Sequence, residues 1–561
     1  MWTTVNLIAI LGAGMILIMG LVVLALLLIM RREPLPDKTL TAKKSTKKHG
    51  WIIFCVVLVC ELAAGYYFNY LNGMIMGDAA SRVANAFFVL YIQPPHLASI
   101  GFIWNPLPSL MELPFMWLVP FFKPLATAAL AGVIVTSLFA AGTAVLIYNN
   151  CIRFNVPVGL SLLLTALYAF NPFIFIYGFN GMSEVMFIFF LVLATTQLVQ
   201  WTYDEVPFHL FWVGVALASA FLIRYEAIPF AAAVFLAVCF FMFKKRSQLG
   251  SVKSAWGYFE GTVLVIFMPL VSCIILWILL NWIIMGDPLY FLTSAYSNEA
   301  YTSANLGADM LLLQWNIPGV LLYALKMSVY FIPLTIVILF IRLINRSLFR
   351  WETLMFLVLV LSIPAFESFM LLRGASFGWL RFFVYPLLIA VAWLPFELRE
   401  MKDRAPLFKP VAIVLCCLAL VFSAVSVGIP LKNPEVAGEE YSTYFMKSGS
   451  SNLDMQIDIA AYIDEHHANA VFLMDSYYTW YVIMNMDSPD KVITSCSYTF
   501  YGAIESPAEF DVQYILLVDP EIGAADAINR YYPDLYENGA DWCTLEKDFG
   551  DYRVYKVNIM P

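Results

Sequence analysis

Apolar residues recur in runs of about twenty, separated by short polar breaks, and that length matches a helix crossing a bilayer. The runs fall near 5–30, 51–71, 117–148, 157–177, 183–201, 208–225, 227–243, 260–284, 317–341, 352–371, 382–398 and 408–428. They predict about twelve transmembrane helices. The first, Val5 to Met30, has no basic start and no small-residue cleavage site, so it reads as a retained helix rather than a signal peptide. Beyond Lys432 the pattern changes. Short β-rich runs such as Ala470–Asp475, Lys491–Thr494 and Val512–Val518 alternate with helical patterns such as Met455–Glu465 and Ile522–Tyr531. That alternation predicts a small α/β domain with a mostly parallel sheet, closed by Asp551–Val557 as an edge strand.

The fold class expected is thus a polytopic α-helical membrane protein with a C-terminal extracytoplasmic α/β domain. Three regions follow: an N-terminal helix and basic loop over 1–50, a transmembrane domain over 51–431, and the soluble domain over 432–561.

Charge orients the spans. Basic residues fill the first loop (Arg31, Arg32, Lys38, Lys43, Lys44, Lys47, Lys48) and the third (Arg153). They also fill the seventh (Lys244, Lys245, Arg246, Lys253), the ninth (Arg342, Arg346, Arg350) and the eleventh (Arg399, Lys402, Arg404, Lys409). Every basic loop is odd-numbered, so odd loops are cytoplasmic and both termini lie outside. The even loops share the outer face. They hold Asp78, Arg82 and His96; Glu184; Arg224, Tyr225 and Glu226; Asp287; and Arg373 with Arg381. Snorkelling to the interface explains any one of these charges, but less well five successive outer turns that each carry an ionisable group.

Composition agrees. The 561 residues are 61% hydrophobic and only 13% charged, against about 25% charged in an ordinary soluble domain. Acids gather in the tail, which argues against a nucleic-acid partner. No metal-type cysteine spacing and no Gly-rich phosphate loop occur. Cys496 and Cys543 are the two tail cysteines that an oxidising compartment would allow to pair.

The stretch from Gly77 to Leu113 holds the densest candidate chemistry. Asp78 stands just past an apolar span, one turn before Arg82. A carboxylate there can take a proton from a hydroxyl and activate it. The bland alternative is a helix-capping acid paired with Arg82. His96 is a candidate donor to phosphate or sugar, or a surface loop histidine. Glu184 is a candidate substrate contact, or a first-turn acid of its helix. Arg224 either meets an anion or pairs with Glu226. Asp475 and Asp519 end strands, where ligands bind in α/β sheets, but such residues also cap the following helix. Tyr477–Tyr481 can line a sugar groove or dock the tail.

In order and sidedness these residues resemble the GT-C superfamily of membrane glycosyltransferases, which includes protein O-mannosyltransferases and aminoarabinose transferases. The resembling motifs are Gly77-Asp78, Asn171-Pro172 with Gly181-Met182-Ser183-Glu184, Arg224-Tyr225-Glu226, and Asn281 with Gly286 to Phe291. The resemblance runs from about Trp51 to the C-terminus. It implies a glycosyltransferase of the hexosyltransferase class that uses a polyprenyl-phosphate-linked sugar. Asp78 would be the general base. Arg82, His96, Glu184, Arg224, Tyr225, Glu226, Arg373 and Arg381 would bind substrate. The acceptor would be a hydroxyl of a glycan, lipid or protein, reached from outside a plasma membrane. Some relatives use a divalent metal, for which Asp78 and Glu184 would be the ligands. The sequence departs in its extra first helix, and in lacking the second acid that many relatives pair with the first in that loop, since Asp78 stands between Gly77 and Ala79; Glu184 is then the best second acid. The alternatives are a transporter or flippase of lipid-linked saccharide, and a non-catalytic cell-envelope assembly protein.

Overall fold

The structure, a computed structural model, describes residues 47–401, 408–446 and 451–558. The expected helix at 5–30 lies outside the described residues. Among them, eight helices are long and apolar enough to cross a membrane. They are α1 (Lys47–Leu71), α4 (Leu130–Arg153), α7 (Ser183–Asp204), α9 (Ala227–Gln248), α10 (Val252–Met285), α13 (Trp351–Arg373), α14 (Leu380–Glu400) and α15 (Phe408–Lys432). Two bent helix pairs, each a broken span or a re-entrant loop, bring the total to ten if each counts as one span. Helices α5 (Val158–Ala169) and α6 (Pro172–Phe179) meet at 67°, and α11 (Ile317–Ser328) and α12 (Pro333–Ile344) at 94°. Each second helix opens on a proline, which lacks the N–H needed to continue the first. The run expected at 208–225 is a shorter helix, α8 (Pro207–Phe221). The chain is a multi-pass membrane protein.

The run read as a span from 117 is corrected at its start. Residues 117–129 form turns and a short helix, and α4 begins only at Leu130 after Ala129 in the left-handed region (φ 51°). Ahead of it, the loop after α1 folds into two helices. These are α2 (Gly77–Tyr91) and α3 (Leu107–Met116), the latter started by Pro106 and Pro108.

Helix α2 is amphipathic, and its buried face includes Ala79, Ala80, Val83, Ala84, Phe87 and Phe88. All but Ala79, which joins the core of the helical bundle, share one apolar core with α4 and with one face of the C-terminal sheet, through Phe472, Met474, Leu516, Val518 and Val554. The sheet domain therefore rests directly on the loop helices. Lys123 reaches Asp487 at 2.9 Å, and the Tyr481 hydroxyl donates to the Thr127 carbonyl at 2.7 Å across the same junction.

The sheet is mixed, not mostly parallel. Strands β1 (Phe472–Leu473), β2 (Val492–Ile493) and β3 (Tyr514–Val518) run parallel in the order β2-β1-β3. Strand β5 (Tyr552–Val557) then pairs antiparallel with β3, and β4 (Cys543–Asp548) antiparallel with β5. The expected edge strand is thus an inner one. The true edge is β4, whose Thr544–Asp548 are exposed, so its sequence carries no apolar signal. Cys496 and Cys543 are both free and pack on opposite faces of the sheet.

Candidate active site

Asp78 occupies the first turn of α2, where the helix dipole favours an anion. The seat of that turn is set by close backbone packing. Gly181 has φ +79°, and a Cβ there would stand 3.2 Å from the Ala79 Cβ and 3.5 Å from the Gly132 backbone. Glycine at 181 lets α2 nest against α4, and α7 begins two residues later at Ser183.

Asp78 does not pair with Arg82, as its spacing suggests. Its Oδ2 accepts from Arg381 Nη2 at 3.2 Å, and its side chain stays 41% exposed. Arg381, at the start of α14, is 3% exposed and gathers three acids. Besides Asp78 these are Glu184, whose Oε1 lies 3.2 Å from Nε, and Glu439, which accepts from Nη1. Glu184 is also 2.6 Å from Arg224, and Arg224 is clasped by Glu226 at 2.6 Å. Five residues singled out from the sequence therefore converge: Asp78, Glu184, Arg224, Glu226 and Arg381. The face of Trp379 lies 4.0 Å from the Arg381 guanidinium, covering it.

Arg82 sits beside this network without a carboxylate partner among the described residues. It is 8% exposed, stacks 4.6 Å from the Trp104 ring, and leaves Nε and Nη1 without a hydrogen bond. Burial pulls its guanidinium below the ordinary arginine value, more than Asp78 raises it. Glu112 on α3 is buried nearby, and burial pushes its carboxyl up to about 8 against the pull of Arg82. Glu112 is the kind of residue sequence reasoning could have caught, as an acid inside an apolar helix.

Glu439 and Glu440 were not singled out by the sequence. They lie on a short helix (Gly438–Tyr441) after α15, in a segment whose Leu431, Val436 and Ala437 join the core of the helical bundle. Glu440 is buried and accepts from the Tyr177 hydroxyl at 2.5 Å. Burial raises the Glu439 carboxyl more than Arg381 lowers it, and Asp78, Glu440 and Glu184 add to the rise. The available signal was two adjacent acids just past a span.

Other candidates lie elsewhere. His96 stacks on Tyr498 of the sheet domain at 4.4 Å between ring centroids, and its Nδ1 lies 2.7 Å from the Pro94 carbonyl. Arg373 pairs with Glu299 at 3.2 Å. Tyr225 donates to the Ile103 carbonyl at 3.1 Å and stacks on Phe291. Asp287 closes its own turn by accepting from Leu289 N and Thr293 Oγ1. Asp475 caps its following helix and accepts from the Tyr296 hydroxyl at 2.9 Å, and Tyr477 packs on Tyr296, so both serve docking. Asp519 accepts from Glu521 N in its own turn.

Asp78 and Glu184 do not suit a divalent metal here. Glu184 Oε1 already meets two guanidinium groups, and no three His, Cys, Asp or Glu side chains converge as ligands among the described residues.

The remaining groups suit an anionic ligand beside a proton acceptor. Arg82 offers unused N–H groups, Arg381 a forked donor, and Asp78 an exposed carboxylate. At the far end of the bundle lies a separate set of pairs, such as Arg342 with Glu397 at 2.7 Å and Arg153 with Asp204 at 4.0 Å.

No protein-family model and no curated protein matches the chain in sequence. In fold it is similar to ArnT from Cupriavidus metallidurans, solved bound to undecaprenyl phosphate. The likeness has a TM-score of 0.51 at 11% identity and covers 91% of this chain and 98% of that one. The spans and the terminal sheet domain together share the fold of that structure.

Proposed function

We propose that the chain is an inverting glycosyltransferase that moves a sugar from a polyprenyl-phosphate donor to a hydroxyl acceptor on the extracytoplasmic face of the plasma membrane. The observation that carries this reading is the exposed Asp78 carboxylate, held by Arg381 beside the unpartnered Arg82, in a fold shared with a protein solved with undecaprenyl phosphate.

The acceptor O–H donates to Asp78, which takes the proton as the oxygen attacks the anomeric carbon. The bond from that carbon to the phosphate oxygen breaks, and the phosphate keeps the electron pair. Arg82 and Arg381 stand where that charge develops, in a setting with little water to screen it. Displacement from the side opposite the phosphate inverts the anomeric centre. Residues 51–431 carry the chemistry in this reading. The sheet domain, extracytoplasmic like both termini, holds α2 in place.

The test is turnover by the purified protein in nanodiscs with synthetic polyprenyl-phosphate sugars and hydroxyl acceptors. The anomeric configuration of the product is read by NMR. Transfer with inversion supports the reading. Absence of transfer across a panel of donor sugars, or retention, overturns it.

A further inference from the structure

Apart from the candidate base Asp78, Glu439 is the one acid among the described residues that is both on Arg381 and outside the membrane spans. Its side chain is 24% exposed, whereas that of Glu184 is 2% exposed and rooted in α7. Its α-helical turn, Gly438–Tyr441, runs on without a break into a π-helical stretch, Ser442–Met446. Gly438 before it has no heavy atom within 4 Å of the place a Cβ would take. Glu440 after it is fixed to Tyr177. The geometry is a side chain near the start of a helix, with open space at Gly438 before it and an anchored Glu440 after it.

Three carboxylates share the Arg381 fork, and one guanidinium cannot offer each of them a paired contact. The most exposed of them apart from the candidate base is Glu439. We propose that Glu439 is an internal stand-in for the donor phosphate: it holds the Arg381 Nη1 donor between turnovers, yields it to the incoming lipid phosphate, and retakes it to expel the product. This rests on the donor reading above and deepens it, by assigning the phosphate position to Arg381 Nη1 and a release role to Glu439. The donor diester carries one negative charge, and the monoester left behind carries up to two, so the product binds the cation more strongly. A tethered carboxylate that competes for the same N–H offsets that gain.

The sign of one measurement decides the matter. Undecaprenyl phosphate binding is measured in nanodiscs for the full chain and for Glu439→Gln. At alkaline pH, where Glu439 is ionised although burial raises its carboxyl, removing a competing like charge predicts binding about three- to tenfold tighter. It also predicts a lower KM for donor and a lower kcat as product release slows. A residue that only holds Arg381 in place gives the opposite result, weaker binding, and weaker or unchanged binding overturns the proposal. Glu439→Asp keeps the charge but shortens the reach by one methylene. It predicts tightening of smaller size, and decides the question if the glutamine variant does not fold. If the unaltered protein binds no undecaprenyl phosphate, the donor reading falls and this inference falls with it. If it binds and only the Glu439 series disagrees, the inference alone falls.

Discussion

Asp78 and Arg381 stand 303 residues apart in the chain and 3.2 Å apart in space. One opens a loop helix and the other opens a late span, so the pair ties the first loop of the described chain to a late span. It also fixes where Asp78 points. With Arg381 one carboxylate oxygen is held while the side chain stays 41% exposed.

Replacing Asp78 with Asn keeps the shape and removes the proton acceptor. Loss of a general base costs roughly 10²–10⁴ in rate. The pair is a partly exposed one, so the expected change in unfolding stability is under about 1 kcal/mol. The two readouts are kcat with a lipid-linked donor and a thermal unfolding midpoint in the same detergent. Undiminished transfer removes Asp78 from the base role.

The split between what was legible and what was not has physical causes. Spans such as Ser183–Asp204 and Trp351–Arg373 read clearly because a bilayer demands about twenty apolar residues. The bends at Pro172 and Pro333 were not read, because each helix pair has enough apolar residues to look like one span. Loop parity put Asp78, Glu184, Arg224 and Arg381 on one face, but it did not separate them from His96, Asp287 and Arg373, which share that face and have other partners. The Arg82 pairing was misjudged because helix spacing predicts i,i+4 contacts only when no stronger long-range partner exists, and Arg381 is one. Glu439 was missed because it lies in a linker, where acids are ordinarily solvated. Strand β4 was missed because exposed edge strands carry polar residues.

Gly181→Ala tests how α2 is seated. The new methyl meets the Ala79 Cβ at 3.2 Å on a backbone at φ +79°. Alanine at positive φ costs about 1 kcal/mol or more. The displaced helix end carries Asp78 with it. The expected result is a lower unfolding midpoint and a lower kcat together, in contrast to Asp78→Asn, which lowers kcat alone. A normal kcat in a destabilised Gly181→Ala protein would separate α2 seating from catalysis.

Glu112 predicts a pH dependence of stability. Its carboxyl rises from an ordinary 4.5 to about 8 in the fold. Between those values the folded state holds a proton that the unfolded state has released, so stability falls as pH rises through that window. Glu112→Gln keeps the neutral, hydrogen-bonding shape and removes the titration. The variant should match the parent near pH 5 and unfold at a higher temperature than the parent at pH 8.5. Parallel curves for the two proteins across that range would show that Glu112 does not drive the loss.

Arg82 sets function against stability. A buried cation without a carboxylate partner bears its desolvation cost with only a ring face, worth about 0.5–2 kcal/mol, in return. Such a residue weakens the fold unless an anion arrives, and the proposed anion is the donor phosphate. Arg82→Met keeps the stem against Trp104 and removes the charge. It should raise the unfolding midpoint of the ligand-free protein while raising the donor KM about tenfold or more, the size expected for one charge-assisted contact of about 1.5–3 kcal/mol. The parent should also gain more stability from added undecaprenyl phosphate than the variant does. If Arg82→Met lowers the midpoint and leaves KM unchanged, Arg82 is a structural cation and the phosphate depends on Arg381 alone.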